Sequence, residues 1–154
     1  MAVITEISPF KPNILKLSTQ IGVSRETLQK YLYLFSKADL LLLLQSDTRG
    51  ISKMNKPEKI YLNNPNLIYA LTDSVINKGT LRETFIFNQL RTLYQVTSSA
   101  KGDFTINQKY TIEVGGKNKK QKQIAGLQNA FIVSDNIEFA HHNVIPLWLF
   151  GFLY

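Results

Sequence analysis

At 154 residues and 17.6 kDa the chain has room for one domain or two small ones, and 44% hydrophobic residues are enough to build a core. The absence of cysteine rules out a disulfide framework and a thiolate metal site, and it suits a reducing cytoplasm. A formal charge of +7 and a pI near 9.6 favour a polyanionic partner.

The opening Met1-Ala-Val-Ile-Thr-Glu6 lacks the basic region and long apolar stretch of a signal peptide. The longest apolar runs, Leu40 to Leu44 and Ile145 to Tyr154, fall far short of the roughly 20 residues that span a bilayer. A soluble cytoplasmic protein with no membrane partner is expected.

Beyond Pro9 and Pro12, the residues Ile14, Leu15, Leu17 and Ile21 form a helical apolar stripe that ends at Gly22. Ser24 is suited to cap a second helix, and Glu26 suits its positive end. There Leu28, Tyr31, Leu32 and Phe35 recur at helical spacing, while Arg25, Gln29, Lys30 and Tyr33 fall toward the other side. A strand at Leu40 to Gln45, a loop carrying Arg49, Lys53 and Lys56, and a strand at Glu58 to Leu62 complete a winged helix-turn-helix over residues 1–64. Arg25, Gln29 and Lys30 are placed to meet base edges or phosphates, and Lys53 and Lys56 to add wing contacts. The alternative is a polar face in solvent, with Glu26 repelling phosphate.

Residues 65–154 read as a small mixed α/β domain. A short helix from Asn66 to Leu71 precedes Thr80-Leu-Arg-Glu83, which matches a capping box and opens a longer helix. Glu83 therefore either reaches back to the Thr80 N–H or serves as a functional carboxylate. Tyr94 to Thr97 reads as a strand and Ser98 to Gly102 as a turn.

The stretch Asp103 to Lys117 reads as a hairpin. With Asn107, Gln108 and Lys109 as its loop, Ile106 pairs with Tyr110, Phe104 with Ile112, and Asp103 lies opposite Glu113. Two facing carboxylates call for a positive charge between them. One reading is a divalent cation with oxygen ligands; the other is a wet sheet face on which Glu113 pairs with a lysine.

The lysines at 117, 119, 120 and 122 then lead into an expected helix near Lys120 to Gly126, and Ala130 to Val133 reads as a buried strand. Lys119 and Lys120 join the candidate phosphate contacts. Gly115-Gly116-Lys117 is not a P-loop, because Thr111 and Asn118 stand where that motif needs glycine and Ser/Thr. His141 and His142 are neighbours and make a poor metal pair. The apolar tail from Ile145 suits a core or an interface.

Taken together, Pro12 to Leu32, Glu58 to Leu67, Arg82 to Asn88, Gly102-Asp103-Phe104, Ile112-Glu113-Val114 and Ile145 to Trp148 resemble the C-terminal region of prokaryotic ATP-binding AAA-family proteins. The resemblance implies an α+β chain in which a winged helix is followed by a restriction-endonuclease-like, PD-(D/E)XK domain of unknown function. It also implies a preceding ATPase domain of the same parent chain, which alone would bind ATP.

The nuclease-like motif is a helix glutamate, an aspartate and Glu-x-Lys. Glu83, Asp103 and Glu113 match its carboxylates as ligands of Mg²⁺ or Mn²⁺, and Gly115 stands at the lysine position. Lys117 would lie on the same strand face, about 6–7 Å further along, and either Lys117 or Lys119 is open to recruitment in place of the missing lysine. The resulting expectation is a DNA-binding or substrate-recruiting module with an incomplete nuclease site. Its alternatives are an active Mg²⁺-dependent nuclease using Lys117, and a protein-interaction module that forms homo-oligomers.

Overall fold

The computed structural model describes residues 9–47, 57–72, 75–119 and 121–153. The chain is α+β and divides into two compact units, Met1–Ser74 and Val75–Tyr154. The boundary expected after residue 64 thus falls later, and the helix Pro65–Leu71 goes with the first unit.

In the first unit α1 (Ile14–Ile21) is capped by Asn13, whose side chain accepts from the Lys16 N–H. It ends at Gly22 with φ +76°, a left-handed turn in which the Gly22 and Val23 N–H groups both bond the Ser18 carbonyl. Ser24 caps α2 (Arg25–Lys37) by accepting from the Thr27 N–H, as its sequence position suggests.

Leu28 and Leu32 are the buried residues of α2, whereas Tyr31, expected on the same stripe, is 44% exposed. β1 (Leu41–Leu44) and β2 (Lys59–Leu62) pair antiparallel, and Phe10 bridges to Ile60 on the other edge of β2. Leu41, Leu44, Ile60, Tyr61 and Leu62 are almost wholly buried, and α3 (Pro65–Leu71) adds Ile68 to this core. The expected wing residues Arg49, Lys53 and Lys56 lie outside the described residues.

The second unit opens with α4 (Lys78–Leu90), which starts earlier than the capping-box pattern suggests. Asn77 is its N-cap, accepting from the Gly79 and Thr80 N–H groups, so Thr80 lies inside the helix. A five-stranded mixed sheet follows in the order β3 (Val96–Ser98), β4 (Phe104–Ile106), β5 (Tyr110–Gly115), β6 (Ala130–Ser134), β7 (Val144–Pro146). The first two pairings are antiparallel and the last two parallel.

β3 begins later than expected because α4 runs on into a turn, with the Tyr94 N–H bonded to the Leu90 carbonyl. The β4–β5 hairpin has the expected register, Phe104 to Ile112 and Ile106 to Tyr110, with Asn107 and Gln108 in left-handed conformation at its tip. Phe87 of α4 stacks on Phe104 at 5.6 Å, which places the helix on one face of the sheet.

The parallel β5–β6 pair requires a crossover, supplied by residues 116–129. Its expected helix near Lys120 to Gly126 is only a 3-10 turn, Gln121–Gln123. A stretch dominated by Lys and Gln, with one buried apolar side chain at Ile124 and a left-handed Gly126, has no apolar face to hold a longer helix. Ile124 packs with Ala130 and Ile132, with Leu127 and Val144 against them. The tail forms a 3-10 segment, Leu147–Phe152; contrary to a core role, Trp148 and Phe152 are 51% and 63% exposed.

Candidate functional site

Alternation along β5 fixes the geometry of the second unit's polar cluster. Glu113 pairs with Ile132 and Gly115 with Ser134 in the parallel register, so Glu113, Gly115 and Ile132 share a sheet face. That is the face covered by Ile124 of the crossover. Glu113 is 1% exposed and therefore does not lie on a wet surface.

Its charge is met by a residue of the crossover, since the Lys119 ammonium pairs with Glu113 Oε1. Glu113 Oε2 is buried and has no hydrogen-bond partner among the described residues. Asp103 begins the facing strand: its N–H bonds the Ile112 carbonyl, and its Oδ2 accepts from the Val114 N–H at 2.8 Å. The aspartate is thereby tied to the backbone beside Glu113.

Glu83 sits in the second turn of α4 and is half-buried. With Asn77 as the cap, Glu83 is not the capping-box residue, which removes the structural role its spacing offered. Burial works against the Lys119 charge, but the hydrogen bond it donates to Glu113 and the charges of Glu113, Asp103 and Glu83 outweigh it and raise the lysine above its ordinary value. One ammonium thus feels all three sequence-predicted carboxylates.

Lys119 reaches this position across Gly115. A Cβ built on Gly115 would stand 2.6 Å from Lys119 Cβ and Cγ and 2.7 Å from Cδ. Lys117 is exposed and stays outside the cluster, and Lys120 lies outside the described residues. Alongside, Arg82 Nε donates to Asp135 Oδ2 at 3.0 Å, and its guanidinium lies against Gly116. The motif pattern placed no role on Arg82 or Asp135, because their contact joins residues 53 positions apart.

The oxygen donors of Glu83, Asp103 and Glu113 suit a hard divalent cation, and the unpartnered Glu113 Oε2 fits such a ligand. Among the described residues no three His, Cys, Asp or Glu side chains are placed so that they could hold a metal ion together. His141 and His142 are exposed, with their rings 6.4 Å apart.

In the first unit Arg25 and Gln29 line an open cleft of about 590 Å³ together with Lys11 and residues 12–15 at the start of α1. Arg25 and Lys30 are exposed, and Gln29 is half-buried. Lys11 is paired with Glu58 at 2.8 Å. No helix among the described residues is long and apolar enough to cross a membrane.

No protein family, curated protein or solved structure matches this chain.

Proposed function

We propose that the chain is a DNA-directed module in which a winged helix engages the duplex and a restriction-endonuclease-like domain cleaves phosphodiester bonds. The observation that carries the reading is Glu113: a buried carboxylate with one unpartnered oxygen, beside Asp103 and within the same electrostatic cluster as Glu83. In this reading Glu83, Asp103 and Glu113 hold Mg²⁺ or Mn²⁺. The bound ion would polarise the scissile phosphate and lower the pKa of an attacking water. Asp103 holds its orientation through the Val114 N–H, and Glu113 presents its second oxygen from a face shielded by the crossover.

Arg25 and Lys30, exposed on α2, supply phosphate contacts, with Gln29 close by on the cleft wall. In the parent protein suggested by the AAA-family resemblance, ATP hydrolysis belongs to a separate preceding domain. A second reading is binding without cleavage, supported by the Lys119 ammonium already standing on Glu113.

The test is incubation of the full chain with supercoiled plasmid in millimolar Mn²⁺ or Mg²⁺, beside Asp103→Asn, and duplex binding at low and physiological salt, beside Arg25→Ala/Lys30→Ala. Nicking by the wild type, a rate at least ~100-fold lower in Asp103→Asn, and salt-sensitive binding weakened by the double substitution are expected. Salt-sensitive binding with no nicking leaves the binding reading; neither binding nor nicking sinks both.

A further inference from the structure

We infer that Lys119, delivered by the β5–β6 crossover, takes the place of the lysine absent from the strand, and that residue 115 is glycine because the stem of Lys119 occupies its side-chain space. The inference rests on the nuclease-like reading of the site and assigns to it a positioning residue that the linear motif does not contain.

The backbone offers no other reason for this glycine. Gly22 and Gly126 are the described glycines with positive φ; Gly115 is not among them, so its conformation is open to ordinary residues. Glycine inside a strand weakens it unless something approaches closely. The three nearest atoms that a Cβ at 115 would meet are all Lys119 side-chain carbons, at 2.6–2.7 Å. Those carbons belong to the start of the stem, so they cannot swing aside as a side-chain tip would.

The destination of the stem is equally specific. Its ammonium pairs with Glu113 on the sheet face that Gly115 shares. A lysine two residues after Glu113 on a regular strand would rise from that same face. Lys119 brings its amine there from four residues after the glycine, through a turn closed by the Lys119 N–H to the Gly116 carbonyl.

Lys119 acts through Glu113. Its ammonium holds Oε1 in place, leaves Oε2 directed elsewhere, and competes with a divalent cation for the first oxygen. Removing the ammonium should therefore tighten metal binding while impairing cleavage.

The experiment compares the full chain with Lys119→Ala, Lys117→Ala, Gly115→Ala, and the pair Gly115→Lys/Lys119→Gly. The pair carries glycine at 119 because even the Lys119 Cβ obstructs a side chain at 115. Two quantities are measured: plasmid cleavage in Mn²⁺, and Mn²⁺ affinity from the paramagnetic resonance of the free ion. Thermal melts identify variants that fold.

Lys119→Ala and Gly115→Ala are expected to lose about 100-fold in cleavage and to bind Mn²⁺ several-fold more tightly. Lys117→Ala is expected to change neither, and the relocated pair to recover both toward wild type. Cleavage by Lys119→Ala at the wild-type rate, or Mn²⁺ affinity indifferent to Lys119→Ala, overturns the inference while the nuclease reading stands if the wild type cuts DNA. A wild type that never cuts, with Mn²⁺ binding tightened by Lys119→Ala and not by Lys117→Ala, removes the nuclease reading and keeps the placement of Lys119. No Mn²⁺ binding by any variant overturns both. Should Gly115→Ala fail to fold, Lys119→Ala and the relocated pair still decide.

Discussion

A carboxylate as deeply buried as Glu113 is costly unless it is paired, and the cation it pairs with is Lys119. Because the lysine side chain is itself 33% exposed, solvent weakens the pair relative to a fully buried one. Lys119→Ala should lower unfolding stability by ~1–3 kcal/mol, against less than ~0.5 kcal/mol for the exposed Lys117→Ala, both read from urea unfolding. Equal losses would contradict the pairing.

Opposing burial and outweighing it, Glu113, Asp103 and Glu83 raise the lysine pKa. Its contribution is therefore complete below the ordinary lysine value and is lost only as pH rises through the raised one. Glu26 behaves in the opposite sense. Its own backbone N–H, then the Ser24 hydroxyl and the charge of Arg25, lower its pKa at the start of α2. That contribution is present above its ordinary value of 4.5 and disappears as pH falls through the lowered pKa. The difference in urea midpoint between wild type and Glu26→Gln should accordingly shrink in acid; a difference that grows there would reverse the assignment.

Caps and turns decide where the elements begin and end. Gly22→Ala forces an L side chain into φ +76° and should cost about 1 kcal/mol. Asn77→Ala should cost ~1 kcal/mol through loss of its side-chain bonds to the first turn of α4, whereas Thr80→Ala, inside that helix, should cost less. Thermal unfolding of the two variants separates the true helix start from the Thr80-to-Glu83 pattern that imitates one. The imitation arises because a capping box is only a spacing, and Asn77 supplies a competing cap three residues earlier.

The β4–β5 hairpin was legible because alternating apolar residues and a three-residue tip admit one register that keeps Phe104, Ile106 and Ile112 together. The crossover was not. Its lysines and glutamines carry no period, and Ile124 is held by Ala130 and Ile132, contacts that exist only once β6 has docked on β5.

Across the whole chain, each unit has its own buried core, Leu17 to Ile68 in the first and Ile86 to Val133 in the second. Fragments 1–74 and 75–154 should therefore each melt cooperatively, with salt-sensitive duplex binding following the first and Mn²⁺ binding the second. A fragment with no cooperative melt would show that its core depends on the other.

The hairpin register put Asp103 and Glu113 on adjoining strands in the sequence, whereas Glu83 joined them only through the family resemblance. Lys119 could not be singled out from Lys117, since four lysines lie within six residues and their spacing does not reveal the turn at Gly116 that carries Lys119 to Glu113. The same connection bears the lysine at one end and the core anchor Ile124 in its middle, between two strands of fixed parallel register. Its length is thus under a constraint that its mostly exposed side chains do not reveal: insertion or deletion of one residue between Gly116 and Lys119 would turn the amine away from Glu113. Drift in this stretch can change letters far more freely than it can change their number.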